Sequence, residues 1–231
     1  MNALPGVSAI MPVHNGAAHM ADGLRSILAQ KRPPDEIIVV DDGSTDGSGA
    51  LAKQVAPLAT VIDQPNQGPA QARNAGVAAA RHEYIALLDH DDLWPPGRTE
   101  RLLACAKANP AAGIVCGRTE MVAAGPGVTL DQRLLRASGT NIPFLFPSAL
   151  IRRAVWIELG GMDPGRDHAE DTDLYLRIVE AGIPVAFIEA TTLIYRHHGN
   201  NRSRAVEQSQ AALMGSLRAS LLRRRAARAE G

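Results

Sequence analysis

The sequence predicts an α/β protein: a single domain on a mainly parallel, mixed open sheet flanked by helices, followed by a basic amphipathic C-terminal helix. Three observations carry this. Strand-like and helix-like segments alternate with short connections through the first half of the 231 residues, an order that yields a parallel sheet with crossover helices. EIIVVDD at 36–42 is apolar at consecutive positions, as in strands covered on both faces. Both VVDDGS and EYIALLDHDD place acids directly after an apolar run, and the carboxyl ends of strands are where open parallel sheets bind ligands.

VSAIMPV at 7–13 reads as the first strand, and Met20, Leu24, Ile27 and Leu28 mark a helix that ends before Pro33 and Pro34. The second strand, 36–42, is followed by DGSTDGS, which turns the chain into a helix near 46–55. TVIDQ is a short third strand, Ala70 to Ala80 an alanine-rich helix, and EYIALLD the fourth strand. A helix from Thr99 to Ala108 and a strand at 113–117 follow. In the less regular second half, 121–132 reads as a loop or hairpin and NIPFLFPSALI as an irregular apolar stretch. Arg152 to Leu159 is a short helix, and Asp171 to Ala181 a helix stopped by Gly182 and Pro184. VAFIEA and TLIYRHH are expected as two strands. With no repeat or low-complexity linker, the division is one domain at 1–204 and a tail helix at 205–231.

A hydrophobic content of 45% with 21% charge fits a globular protein, and no apolar run approaches the ~18 residues of a membrane span. The opening MNALPGVSAIMPV lacks the basic start of a signal peptide, so the expected location is cytoplasmic, at most peripheral at the inner face of the membrane. Cys105 and Cys116 have no metal-ligand companions at useful spacing and read as reduced structural thiols. The net charge of zero divides into +5 from Arg202 onward and −5 before it. In the tail, Leu213, Leu217 and Leu221 recur at helical spacing among Arg218, Arg223, Arg224, Arg225 and Arg228. Such a helix fits an anionic membrane surface, a homodimer, or its own domain. The expectation is the last, with leucines packed inward, because no large aromatic anchors the apolar face. Nucleic acid is not an expected partner, since a basic body and stacking aromatics are both missing.

Asp89, Asp91 and Asp92 stand within four positions. Two carboxylates about 6 Å apart repel by roughly 3 kcal/mol at an effective dielectric near 20. A divalent cation offsets that cost, and hard oxygen ligands point to Mg²⁺ or Mn²⁺; an acidic turn open to water fits these ten residues equally. GxGxxG, GxxxxGK[ST] and GxSxG are absent, which argues against a dinucleotide fold, a P-loop and a nucleophile elbow. An EF-hand fails at Leu93 and Trp94.

Taken in order, SAIMPVHN, VVDDGSTDGS, GPAQARNAGV, LDHDD, ALIRRAVWIELGGMD, AEDTDLYLRI and YRHHGNNRS resemble the family 2 inverting glycosyltransferases, whose fold is known as GT-A. The resemblance implies a metal-dependent transferase that moves a sugar from a nucleotide diphosphate donor, most often UDP-linked, to a hydroxyl acceptor in a glycan, a lipid-linked glycan or a small molecule. It implies that Asp42, with Asp41 beside it, meets the base, where the residues alone read as an Asx turn. Pro12, Val13 and His14 would line the base pocket. Arg73 and Asn74 would reach the nucleotide or its phosphates, where the alternative is an exposed helix face. Asp91 would be the principal metal ligand, Asp89 a ribose or second-sphere contact that also counts among the ligands, and Asp92 a support. Asp171 would be the general base, with Glu170 as alternative or partner, although acids at a helix N-terminus often only cap. His198, in preference to His197, would join the metal or diphosphate, and Arg196, Arg202 and Arg204 would clamp phosphates. Two rivals stand beside this reading: a noncatalytic nucleotide-sugar-binding scaffold, and a nucleotidyltransferase, whose basic loop after the first strand is here HNGAAHM.

Overall fold

Strand β1 (Val7–Val13) is buried along its whole length, and its alternating side chains start two cores. Val7, Ala9, Met11 and Val13 pack with Met20, Leu24 and Ile27 of α1 (Met20–Leu28) on one face of the sheet. Ile10 packs on the other face with Val77 of α3 (Pro69–Ala79) and with Ile38 and Val40 of β2 (Glu36–Asp42). The remaining elements are α2 (Ser48–Val55), β3 (Thr60–Gln64), β4 (Tyr84–Leu87), α4 (Arg98–Ala108), β5 (Ile114–Ala123), β6 (Ala149–Arg152), α5 (Arg153–Glu158), α6 (Glu170–Glu180), β7 (Val185–His197) and α7 (Val206–Ala229). The computed structural model describes residues 5–125, 146–166, 168–199, 201 and 206–229.

The seven strands run in the order β3-β2-β1-β4-β6-β5-β7. β3, β2, β1 and β4 are parallel; β6 is antiparallel to β4 and β5, and β7 is parallel to β5. Helices α1, α2 and α4 cover one face and α3, α5 and α6 the other. The chain winds outward from β1 to β3, then returns to place β4 on the opposite side of β1. That reversal opens a crevice at the carboxyl ends of β1 and β4. Gly76 lets α3 press onto the sheet, since a Cβ there would fall inside van der Waals contact of Ile10 Cγ2.

The second half departs from the expected elements in three places. The two strands expected at its end are one, β7, because Ile114 to Ala123 pairs with it continuously, with irregularities around Arg118 absorbing the register shifts. The strand expected at 113–117 therefore extends to Ala123, taking up the start of the expected hairpin, whose residues from 126 onward lie outside the described ones. NIPFLFPSALI ends as a 3₁₀ turn, Phe146–Ser148, and strand β6. The tail helix reverses the expected packing. α7 turns Ser216 and Ser220 inward and leaves Leu213, Leu217 and Leu221 exposed, because Arg223 docks it on α6 through Glu180 and Asp173. Among the described residues, no helix is long and apolar enough to cross a membrane.

Candidate active site

At the end of β1, Pro12 and Val13 are buried and His14 is exposed. His14 Nδ1 lies 2.8 Å from the Asp42 carbonyl oxygen, which can only accept. That places the proton on Nδ1, and Nε2 accepts from the Asn15 and Asn66 amides. Asp42 itself is 3% exposed. Its carboxylate accepts from Gln64 Nε2, Gln67 N and Gly68 N at 2.7, 2.9 and 2.9 Å. Asp41 accepts from Ser44 N. What the geometry displays at VVDDGS is the turn: these acids shape the two loops that wall the crevice and start α2 and α3.

The three acids after β4 have three different surroundings. Asp89 Oδ1 pairs with Arg73 at 2.7 Å. Asp91 Oδ2 meets His198 Nε2 at 3.0 Å and accepts from Asn201 Nδ2 at 3.3 Å. Asp92 is 1% exposed and takes the Arg196 N–H at 2.9 Å. Burial, with the charges of Asp89 and Asp91 adding, pushes the Asp92 carboxyl well above the ordinary range. Asp92 thus lies in the interior, tied near the end of β7 by the Arg196 N–H. Arg196 departs from its expected role as a phosphate clamp: its guanidinium bonds the main-chain oxygens of Asp91 and His19 and pairs with Asp22. It ties the acidic loop to the N-terminal end of α1. Arg202 and Arg204 lie outside the described residues.

His19 was not singled out by sequence, yet its ring stacks on His198 with centroids 4.7 Å apart. Burial first, then the nearby His198 and Arg196, lowers the His19 pKa. Its signal was absent from the motifs because His19 precedes α1, 179 positions before the ring it touches.

The main link across the site is Arg73. It is 6% exposed, and its guanidinium lies 2.7 Å from Asp89, 3.4 Å from Glu170 and 3.7 Å from Asp171. Burial alone would lower its pKa, but Asp89, Asp171 and Glu170 outweigh that and hold it above its ordinary value. One buried cation therefore joins the loop after β4 to the N-terminus of α6, where Glu170 is nearly buried and the Asp171 side chain is 36% exposed. Asp173 faces away, toward Arg166, Arg177 and Arg223. Asn74 departs from the nucleotide role. Its Oδ1 accepts from Met162 N and Trp156 Nε1, and its Nδ2 donates to the Met162 carbonyl. Gly161, at φ +71°, makes this possible, since a Cβ there would lie 2.5 Å from Asn74 Oδ1.

Among the described residues, no three of His, Cys, Asp and Glu converge as a ligand set, and Asp89 and Asp91 point to different partners. Asp91 and His198 form a two-donor set of oxygen and imidazole nitrogen. That suits Mg²⁺ or Mn²⁺, which commonly takes few protein ligands and completes its shell with substrate phosphates and water. The crevice so joins an oxygen and an imidazole nitrogen that could hold a cation to a carboxylate that solvent can reach.

The sequence profile described as Glycosyl transferase family 2 matches residues 8–157. A putative glycosyltransferase of Bacillus subtilis, EpsE, is 32% identical over 196 residues, covering 79% of this chain and 69% of its own. An uncharacterized glycosyltransferase of Haemophilus influenzae is 25% identical over 185 residues, 75% of this chain and 62% of its own. One from Nostoc is 37% identical over 113 residues, 47% and 35%. The chain thus spans about a third to two thirds of the length of these relatives. Among solved structures, the mannosyltransferase PcManGT from Pyrobaculum calidifontis in complex with GDP-Man and Mn²⁺ superposes with a TM-score of 0.73 at 24% identity, over 95% of this chain and 65% of that one. S. aureus TarS 1-349 in complex with UDP gives 0.69 at 18%, over 90% and 65%. At these identities the likeness establishes the GT-A fold.

Proposed function

Because the chain belongs to glycosyl transferase family 2, we propose that it moves a sugar from a nucleotide diphosphate donor, UDP-linked in preference to GDP-linked, to a hydroxyl acceptor by a single inverting displacement. The observation that carries this reading is the Arg73 link, in which one buried cation joins the loop after β4 to the N-terminus of α6. Pro12, Val13, His14 and the Asp41–Asp42 turn bound the base pocket. Asp91 and His198, 3.0 Å apart, would hold the metal, with Asp89 held beside them by Arg73. A bound Mg²⁺ or Mn²⁺ supplies charge stabilisation for the diphosphate as it leaves. Arg73 fixes Asp89, Glu170 and Asp171 in place through its ion pairs, so these acids need no reorganisation.

The acceptor oxygen attacks the anomeric carbon from the face opposite the nucleotide. The bond from that carbon to the β-phosphate oxygen breaks, the diphosphate keeps the electron pair, and the acceptor proton passes to Asp171. Asp171 suits the role better than Glu170 because it is the more exposed of the two. Arg73 holds both carboxylates from one guanidinium, at 3.4 Å from Glu170 and 3.7 Å from Asp171, so the base is positioned before the acceptor binds.

Calorimetry with UDP and with GDP, each with and without Mn²⁺, tests the reading. Wild type binds UDP more tightly than GDP and only with the metal, and Asp91→Ala loses the metal-dependent part. Unchanged UDP affinity in that variant removes Asp91 from the site, and tighter GDP binding reverses the donor assignment.

A further inference from the structure

The side of α7 that the domain leaves uncovered is apolar and basic at once. Ser216 and Ser220 are buried, and Arg223 reaches Glu180 at 2.6 Å and Asp173 at 3.2 Å, so the small, polar side of the helix is its inner side. Leu213, Met214, Leu217, Leu221 and Leu222 are 39 to 65% exposed. At about 100° per residue, Leu213, Leu217, Leu221 and Met214 occupy an arc of roughly 100°, with exposed Arg225 and Arg218 along its rim. Over its whole length the helix is only weakly amphipathic, because the face on the body is serine and alanine. The contrast that matters lies within the outward half. From Gln208 to Ala229 the sequence carries five arginines and no acid.

We propose that this face of α7 lies on an anionic lipid surface, in the plane of the interface, with the leucines at the acyl boundary and Arg218 and Arg225 on headgroup phosphates. Charge decides between occupants. A second copy of α7 would bring the same arginines and, from 208 to 229, no acid to meet them. An anionic membrane supplies an apolar depth and a sheet of counter-charge together. The helix is too charged to span. Its brace to α6 through Arg223 sets the helix carrying Glu170 and Asp171 one interhelix distance, about 10 Å, from the helix that lies on the lipid.

Vesicle flotation of the full chain tests this without reference to transfer activity. The chain co-floats with vesicles of phosphatidylglycerol mixed into phosphatidylcholine and not with phosphatidylcholine alone. Arg218→Gln with Arg225→Gln weakens binding by about 25-fold, roughly five-fold per arginine. Leu217→Ser with Leu221→Ser abolishes it while leaving the melting temperature unchanged, since both side chains are exposed. No flotation, equal flotation with both vesicle types, or flotation indifferent to the leucine pair overturns the proposal. So does a wild-type dimer in sedimentation equilibrium that the leucine pair dissociates, which gives the face to a second copy.

Discussion

In residues 5–80 most turns are closed by short side chains that accept from backbone N–H groups, whereas beyond Asp89 much of the irregular chain is held by arginines that donate to backbone carbonyls. Asp35 takes the Val7 N–H, Asp41 that of Ser44, Asp46 that of Ala17, and Asp42 those of Gln67 and Gly68. In the second half, Arg98 donates to Thr192, Pro147 and Ala149, Arg177 to Leu159 and Gly161, and Arg196 to Asp91 and His19. The difference follows from regularity. Four parallel strands satisfy their own backbones and need only their turns capped. The β6 and β7 region leaves orphan carbonyls, and a guanidinium with five fixed donors on a long stem can gather several at once. The site lies on the seam between the regimes, with Arg73 from the first half holding α6 of the second.

The largest effect expected from breaking this contrast is at Arg98, which is fully buried, stacks over Trp94 at 4.1 Å and is lowered by burial to about 9. Arg98→Ala relieves a desolvated cation but strands three carbonyls beside a cavity, and should cost about 3–5 kcal/mol in urea denaturation. A loss under about 1 kcal/mol would show that arginines are not what holds the second half. Next comes the division of labour across the seam. Asp171→Asn should cut transfer by ~100-fold, about 2.7 kcal/mol, while donor affinity measured by calorimetry stays within about two-fold. Near-normal turnover moves the base to Glu170.

Most of the first half was legible in the sequence, because period, apolar runs and Asp-Gly-Ser turn chemistry are local signals. Strands β1 to β4 and helices α1, α3 and α4 stand within a few residues of where the pattern puts them. The second half was legible only where a segment looked regular by itself, as α6 did. The fusion of two expected strands into β7 depends on pairing with β5, which no window of sequence contains. At the site, spacing brought Asp89, Asp91 and Asp92 forward, but their separate fates depend on Arg73, His198 and Arg196, which come from 16 to 107 positions away. Asn74 and Arg196 were read as ligand-facing because polar residues in motifs draw that reading. Both are tied inward by partners that only the fold supplies.

Two smaller effects sharpen the comparison, one in each half. In the first, Gly76→Ala forces a methyl into the contact between α3 and Ile10. It should destabilise by about 1–3 kcal/mol through overpacking, although alanine favours helix elsewhere. A stabilised variant would mean that α3 can lift from the sheet at little cost.

The smallest lies at Glu180, where an ion pair does what packing does in the first half. Burial alone would raise its pKa, but hydrogen bonds from Arg223 and Ser220, with the Arg223 and Arg224 charges, outweigh it and hold the carboxyl below its ordinary value of 4.5. A depressed folded pKa contributes stability that is present above about pH 4.5 and lost as pH falls through the folded value. With Arg223 about a third exposed, solvent screening keeps the contribution under about 1 kcal/mol. Limited proteolysis within α7 should therefore accelerate below about pH 4.5 in wild type before the body unfolds. In Glu180→Gln cleavage should be modestly faster at neutral pH and less dependent on acid, because glutamine keeps an acceptor for Arg223 but has no proton to take up. Parallel pH profiles for the two proteins would assign the docking of α7 to Asp173 and the buried serines instead.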